Sequence, residues 1–191
     1  MKTEYKILKM MIENKQDFTI REIAKRIGAD YRITYVAVQR LVQKNILIIK
    51  LVGRSSLCSL NERYYGAEVY QTEEERRTSL LKDKNINQLF KDVMAKVGTS
   101  FFICLLFGSC VKGKWKKGSD IDLMFVSNEV NFEKEIGNIL SLLPLKIHVL
   151  VFTEREFKKM YDSKKLNVVK EAMKGYVILH GIENLYYLKN A

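Results

Sequence analysis

With 191 residues the chain is long enough to bury one good core or two small ones, and a composition of 47% hydrophobic and 29% charged residues without low-complexity tracts excludes a disordered chain. The formal net charge is +11 and is unevenly spread: residues 1–65 hold 13 Lys/Arg against 6 Asp/Glu, and residues 66–191 hold 20 against 16. A concentrated basic excess is the footprint of a polyanion binder, and also the composition of a lysine-rich surface kept for solubility.

Residues 3–60 read as three short helices and a hairpin. Thr3 is placed to cap a first helix whose apolar face is Ile7, Leu8, Met11 and Ile12. Thr19-Ile20-Arg21-Glu22 forms a capping box for a second helix, with Ile23, Ala24 and Ile27 inward and Gly28 at its left-handed end. A third helix runs from the turn Ala29-Asp30 to about Lys44, turning Val38, Leu41 and Val42 inward and leaving Arg32, Gln39, Arg40 and Gln43 available. Two strands, 46–50 and 57–60, then flank the basic-tipped loop Val52-Gly53-Arg54-Ser55-Ser56.

Residues 62–97 are predicted helical, and Glu73-Glu74-Glu75 followed by Arg76-Arg77 reads as a solvated helix face with i,i+4 pairs. From residue 99 the pattern changes to interleaved strands and helices. Phe101 to Phe107 is a buried strand and Asp120 to Val126 a second. A helix bearing Phe132, Ile136 and Leu140 follows, then a strand alternating Ile147, Val149 and Val151. Thr153-Glu154-Arg155-Glu156 caps another helix, and a helix over 163–174 leads into a strand from Tyr176 to Leu179. The expected organisation is an N-terminal domain over 1–65, a helical connector over 66–98 and an α+β domain with a mixed sheet and flanking helices over 99–191.

The chemistry-bearing stretch joins the first two of these later strands. After Phe107 come Gly108-Ser109, a loop rich in glycine and lysine, and then Ser119-Asp120-Ile121-Asp122. Residues two apart on a strand share a side, so Asp120 and Asp122 face one way while Ile121, Leu123 and Phe125 face the core. Two close carboxylates are costly unless a cation neutralises them, and Mg²⁺ (or Mn²⁺) takes one or two carboxylates together with substrate phosphates. Glycines at 108, 113 and 118 let backbone N–H groups approach phosphate, Ser109 adds a hydroxyl, and Lys112, Lys114, Lys116 and Lys117 add positive charge, unless these lysines simply solvate the loop. Gly108-x4-Gly113-Lys114 has P-loop spacing, but Trp115 replaces the required Ser/Thr and a strand begins five residues later, so a P-loop is excluded.

The order of elements over residues 3–60 resembles the winged helix-turn-helix family. The resemblance implies a third helix in the major groove of double-stranded DNA, with Arg32, Gln39 and Arg40 on that helix and Arg54 on the wing making contacts; protein docking or a homodimer through the same domain is the other use of this fold. Gly-Ser, ten residues, then Asp-x-Asp resembles the signature of the DNA polymerase β-like nucleotidyltransferase superfamily, especially its minimal members. That resemblance implies metal ions bridged by Asp120 and Asp122, and a nucleoside triphosphate held at Gly108 and Ser109 with Lys112, Lys117 and Ser119 beside it. Nucleotidyl transfer would expel pyrophosphate.

One position departs from the family. Leu143-Pro144-Leu145-Lys146-Ile147-His148-Val149 puts His148 where the third carboxylate is expected. His148 is a candidate ligand or base, or else a partly buried, hydrogen-bonded histidine. The leading expectation is a metal-dependent nucleotidyltransferase with a DNA-binding domain. The alternatives are a transcriptional regulator whose nucleotidyltransferase fold binds nucleotide without turnover, and an antitoxin-like modifier of a partner protein.

No membrane helix is expected, since the longest apolar run falls far short of the roughly 20 residues needed. Glu4 and the lack of an apolar segment after it argue against a signal peptide. Cys58, Cys104 and Cys110 are odd in number and form no CxxC pair, which suits reduced thiols in the cytoplasm.

Overall fold

The computed structural model describes residues 2–53, 55–111 and 120–191. Arg54, Lys112, Lys117, Ser119 and the glycines at 113 and 118 lie outside the described residues. The chain divides into two units, Met1–Thr72 and Glu73–Ala191, together a mixed α+β protein.

The first unit carries α1 (Thr3–Asn14), β1 (Phe18–Thr19), α2 (Ile20–Ile27), α3 (Tyr31–Gln43), β2 (Leu47–Val52) and β3 (Ser55–Leu60). Its three strands form an antiparallel sheet in the order β1-β3-β2. The α2 cap is the expected box: the Thr19 hydroxyl accepts from the Glu22 N–H, and the Glu22 carboxylate accepts from the Thr19 N–H at 2.7 Å. Gly28 ends the helix at φ 64°. Asp30 caps α3 by accepting from the N–H groups of Arg32 and Ile33. Thr3 does not cap α1 as expected. Lys2 takes the extended cap conformation and its carbonyl accepts from Tyr5, so the helix starts at Thr3 itself. Ile7, Met11, Ile23, Val38 and Ile46 are fully or almost fully buried and form the heart of this unit.

The second unit takes the latter part of α4 (Ala67–Leu80), then α5 (Lys84–Lys96), β4 (Ile103–Phe107), β5 (Ile121–Val126), α6 (Phe132–Ser141), β6 (Ile147–Phe152), α7 (Glu154–Asp162), α8 (Val168–Met173), β7 (Tyr176–His180) and α9 (Ile182–Asn190). Its sheet order is β6-β5-β4-β7, with β5 and β6 parallel and the other pairs antiparallel. On one face, Ile86 and Leu89 of α5 and Phe132 and Ile136 of α6 pack on Leu106, Leu123 and Phe125 of the strands. Buried residues of α7, α8 and α9, outside that cluster, cover the other.

The stretch expected as a connector is divided instead. Asp83 accepts from the N–H groups of Asn85 and Ile86 and starts a new helix, so 62–97 is two helices, and α5 is a layer of the second core. The charge run within α4 is also not wholly a solvated face: Glu75 is exposed, but two of its members turn inward. Glu73 is fully buried and Arg76 nearly so; they pair at i,i+3, the Arg76 guanidinium donates to the Tyr176 carbonyl at 2.7 Å, and the Tyr186 hydroxyl donates to Glu73 at 2.9 Å. Burial and the Glu73 carboxylate together push the Tyr186 phenol far above its usual range, so it stays a donor. These bonds tie α4, β7 and α9 together.

A buried ion is costly chiefly when it loses its partner. Arg76→Met is expected to lower unfolding free energy by about 3–5 kcal/mol, because Glu73 is left uncompensated. Glu73→Leu/Arg76→Met should recover much of that loss. Urea unfolding of both variants checks this; equal losses would show that the pair does not act as a unit.

Candidate functional site

The register of the second sheet brings four side chains into one row. Phe107 of β4 lies opposite both Asp122 of β5 and Tyr176 of β7, and His148 of β6 lies beside Asp122. Because Ile121, Leu123 and Phe125 point into the core with α5 and α6, alternation turns Asp122 to the opposite face. It stands where β4 ends, with 27% of its side chain exposed.

Each oxygen of the Asp122 carboxylate has a distinct neighbour. Oδ1 lies 3.5 Å from Nδ1 of His148, an ion pair whenever the imidazole is protonated. Oδ2 overlies Gly108, where a Cβ would come within 2.0 Å of it. Gly108 also holds φ 76°, a conformation that L side chains rarely adopt. The backbone conformation favours glycine here, and a Cβ would in addition require the Asp122 carboxylate above it to shift.

Asp120 is exposed and immediately precedes β5, whose start is set by the Ile121 N–H donating to the Lys146 carbonyl at 2.8 Å. Ser109, Cys110 and Val111 follow Gly108 in a half-buried turn. Burial, and then the Asp122 carboxylate, push the Cys110 thiol up to about 11, against a pull from the Ser109 hydroxyl. The thiol is thus protonated at neutral pH and unsuited to act as a nucleophile. His148 has 61% of its side chain exposed, so it is not the partly buried histidine considered from the sequence. Its link to Asp122 depends on parallel pairing with β6, which no local pattern specifies.

Among the described residues, no three His, Cys, Asp or Glu side chains gather as a metal-holding group. Asp120 and Asp122 offer two carboxylates near one strand end, a donor set suited to a hard cation whose remaining ligands come from water and phosphate.

The residues expected to meet DNA belong to the first unit. Arg32 is exposed, Gln39 is half-buried, and Arg40 is exposed but 3.2 Å from the Glu4 carboxylate. That acid lies far away in sequence and was not anticipated. Nor were Arg21, Tyr31 and Tyr35, which line a groove with Ser55 and Ser56.

Residues 86–178 match the family model of the nucleotidyltransferase domain. The match runs from α5 to β7 and takes in the whole row from Tyr176 to His148, so this part of the second unit is similar to a nucleotidyltransferase domain. No curated protein and no solved structure was found to match the chain. No helix among the described residues is long and apolar enough to cross a membrane.

Gly108→Ala should displace Asp122 and cost stability in two separable parts. The left-handed backbone accounts for roughly 1–2 kcal/mol, and the collision with the carboxylate adds to it. In an Asp122→Ala background only the backbone part should remain. A double-mutant cycle by thermal unfolding measures the difference, and strict additivity would refute contact between these two residues.

Proposed function

We propose that the protein transfers a nucleotidyl group from a nucleoside triphosphate to an acceptor in a reaction that depends on Mg²⁺ or Mn²⁺, and that its first unit is a winged helix-turn-helix binding double-stranded DNA in the cytoplasm. The observation that carries the first part is the Asp122 carboxylate seated over Gly108 beside His148, inside the stretch that matches the nucleotidyltransferase domain. Asp120 and Asp122 hold the divalent cation. When bound, the cation supplies the positive charge that neutralises these carboxylates and the charge growing on the transferred phosphate.

The remaining roles fall to the chain's own groups. The Gly108-Ser109 turn receives the triphosphate, with Lys112, Lys117 and Ser119 as further phosphate contacts. An acceptor oxygen forms a bond to the α-phosphorus as the bond to the bridging oxygen breaks, and pyrophosphate leaves. His148 takes the acceptor's proton: its imidazole is exposed, and Asp122 faces its Nδ1, leaving Nε2 for the acceptor. A second reading follows from the same residue. An imidazole in place of a third carboxylate suits a regulator that binds nucleotide without turning it over.

The DNA-binding part is supported by the element order α1-β1-α2-α3-β2-β3 with a three-stranded sheet, and by six basic residues against one acid, Glu62, between Tyr31 and Tyr65. Arg32, Gln39, Arg40 and Arg54 are the proposed contacts. Arg40 contributes least, since phosphate must compete with Glu4 for it.

Asp120→Asn and Asp122→Asn should each abolish Mg²⁺-dependent triphosphate binding, measured by calorimetry with ATP, GTP, CTP and UTP in turn. Unchanged affinity in both variants would remove the site assignment. Pyrophosphate release from wild type, lost in His148→Ala, supports transfer; binding without release by wild type favours the regulator. For DNA, fluorescence anisotropy between about 50 and 200 mM salt should show a log–log slope that flattens by about one unit in Arg32→Ala and by less in Arg40→Ala. A slope unaltered in both would detach α3 from the duplex.

A further inference from the structure

The outward face of α3 carries a feature that phosphate binding does not use. Ile33 and Val36 are 57% and 49% exposed, and Tyr31 and Tyr35 of the same helix are 47% and 45% exposed. Single exposed apolar side chains are ordinary; Ile33 and Val36 line one groove together, and Tyr31 and Tyr35 line another. Ile33 and Val36, three apart, are neighbours on one stripe. Being β-branched, they contribute little helix propensity, and they add nothing to the core, which α3 supplies from Thr34, Ala37, Val38 and Leu41.

Cations and hydroxyls flank this stripe. On one side Lys2, Arg32 and Arg40 share a shallow groove with Ile33 and Val36, together with Glu4, which pairs with Arg40. On the other, Arg21 and the two tyrosines share a groove with Ser55 and Ser56 of the hairpin. An apolar line bordered on both sides by cations and hydrogen-bond donors complements a channel with apolar points on its floor and anionic walls. The major groove of DNA is such a channel: phosphates edge it, and its one apolar feature on the base edges is the C5-methyl group of thymine.

The geometry points to thymine methyl groups as what α3 recognises, through contact with Ile33 and Val36, while Arg21, Arg32 and the tyrosine hydroxyls meet the flanking phosphates. This inference rests on the DNA-binding reading above and adds the sequence class that is read: sites with thymines at the positions facing the helix. Cation–phosphate contacts position the helix without distinguishing bases, and the methyl contacts discriminate.

The test uses the full chain. Duplexes are selected from a random library at low salt, and the winning site is then made with thymine or with deoxyuridine, which differs only by the missing methyl. The selected site is expected to hold thymines. Deoxyuridine should weaken wild-type binding roughly fourfold per contacted methyl. Ile33→Ala/Val36→Ala should bind both duplexes about equally; these side chains are exposed, and unchanged thermal unfolding confirms the fold. Equal wild-type affinity for both duplexes overturns the inference and leaves DNA binding standing. Methyl sensitivity that persists in the double variant overturns it too, because other residues then make the contact. If wild type binds no duplex even at the lowest salt, the DNA reading itself fails, and the apolar face belongs to a protein interface.

Discussion

The antiparallel register of β4 and β5 is the constraint on which the candidate site depends. Phe107, the last residue of β4, is paired with Asp122, the second residue of β5. The segment between them must therefore leave and return at one point on the sheet, whatever path it takes. This brings the beginning of the motif, Gly108-Ser109, against its end, Asp120-Ile121-Asp122, although up to fourteen positions separate them in sequence. The overlap of the Asp122 carboxylate with the space a Gly108 Cβ would fill is the direct result. Register here is secured by burial: shifting β5 by one residue would turn the Asp122 carboxylate into the apolar face packed by α5 and α6.

The second unit supports that register through two different kinds of contact. On the α5/α6 face the support is apolar and close-packed, with Phe102, Phe125 and Phe132 within 5.5–6.2 Å of one another by ring centroids. At the β7 side it is polar: α4 reaches the sheet through Arg76 and the Tyr176 carbonyl, and α9 is joined to α4 through Tyr186 and Glu73. The polar cluster is directional where the aromatic one is not. Tyr176 belongs both to that cluster and to the row containing Asp122, so the anchor and the site share a line of residues across the sheet.

What the sequence revealed follows the range of each interaction. Capping boxes at Thr19 and Thr153, the left-handed end at Gly28 and the apolar strands are local, and their residues lie within a few positions of one another. Ile121, Leu123 and Phe125 were expected inward from alternation alone, and they are. The burial of Glu73 and Arg76 was not legible, because the partners that satisfy them are Tyr186 and Tyr176, at separations of 113 and 100 residues. The pairing of Arg40 with Glu4 failed to show for the same reason, across 36 residues. β1 is two residues long and exists only through its pairing with Cys58 and Leu57, so no alternation could announce it. In the candidate site, Gly108 and Asp122 were marked by their motif, whereas the approach of one to the other and the placement of His148 beside Asp122 are products of strand pairing.

Among the described residues, β6 has a strand neighbour on one side only. Gly108 and Asp122 are locked by a backbone conformation, a carboxylate contact and ladders on both sides of β5, but His148 answers to a single ladder and to solvent. Of the residues around this carboxylate it is the one that can be exchanged at least structural cost. Divergence in chemistry within such a domain can therefore proceed at the sheet's margin, one residue at a time, while the interior that holds Asp122 stays unchanged.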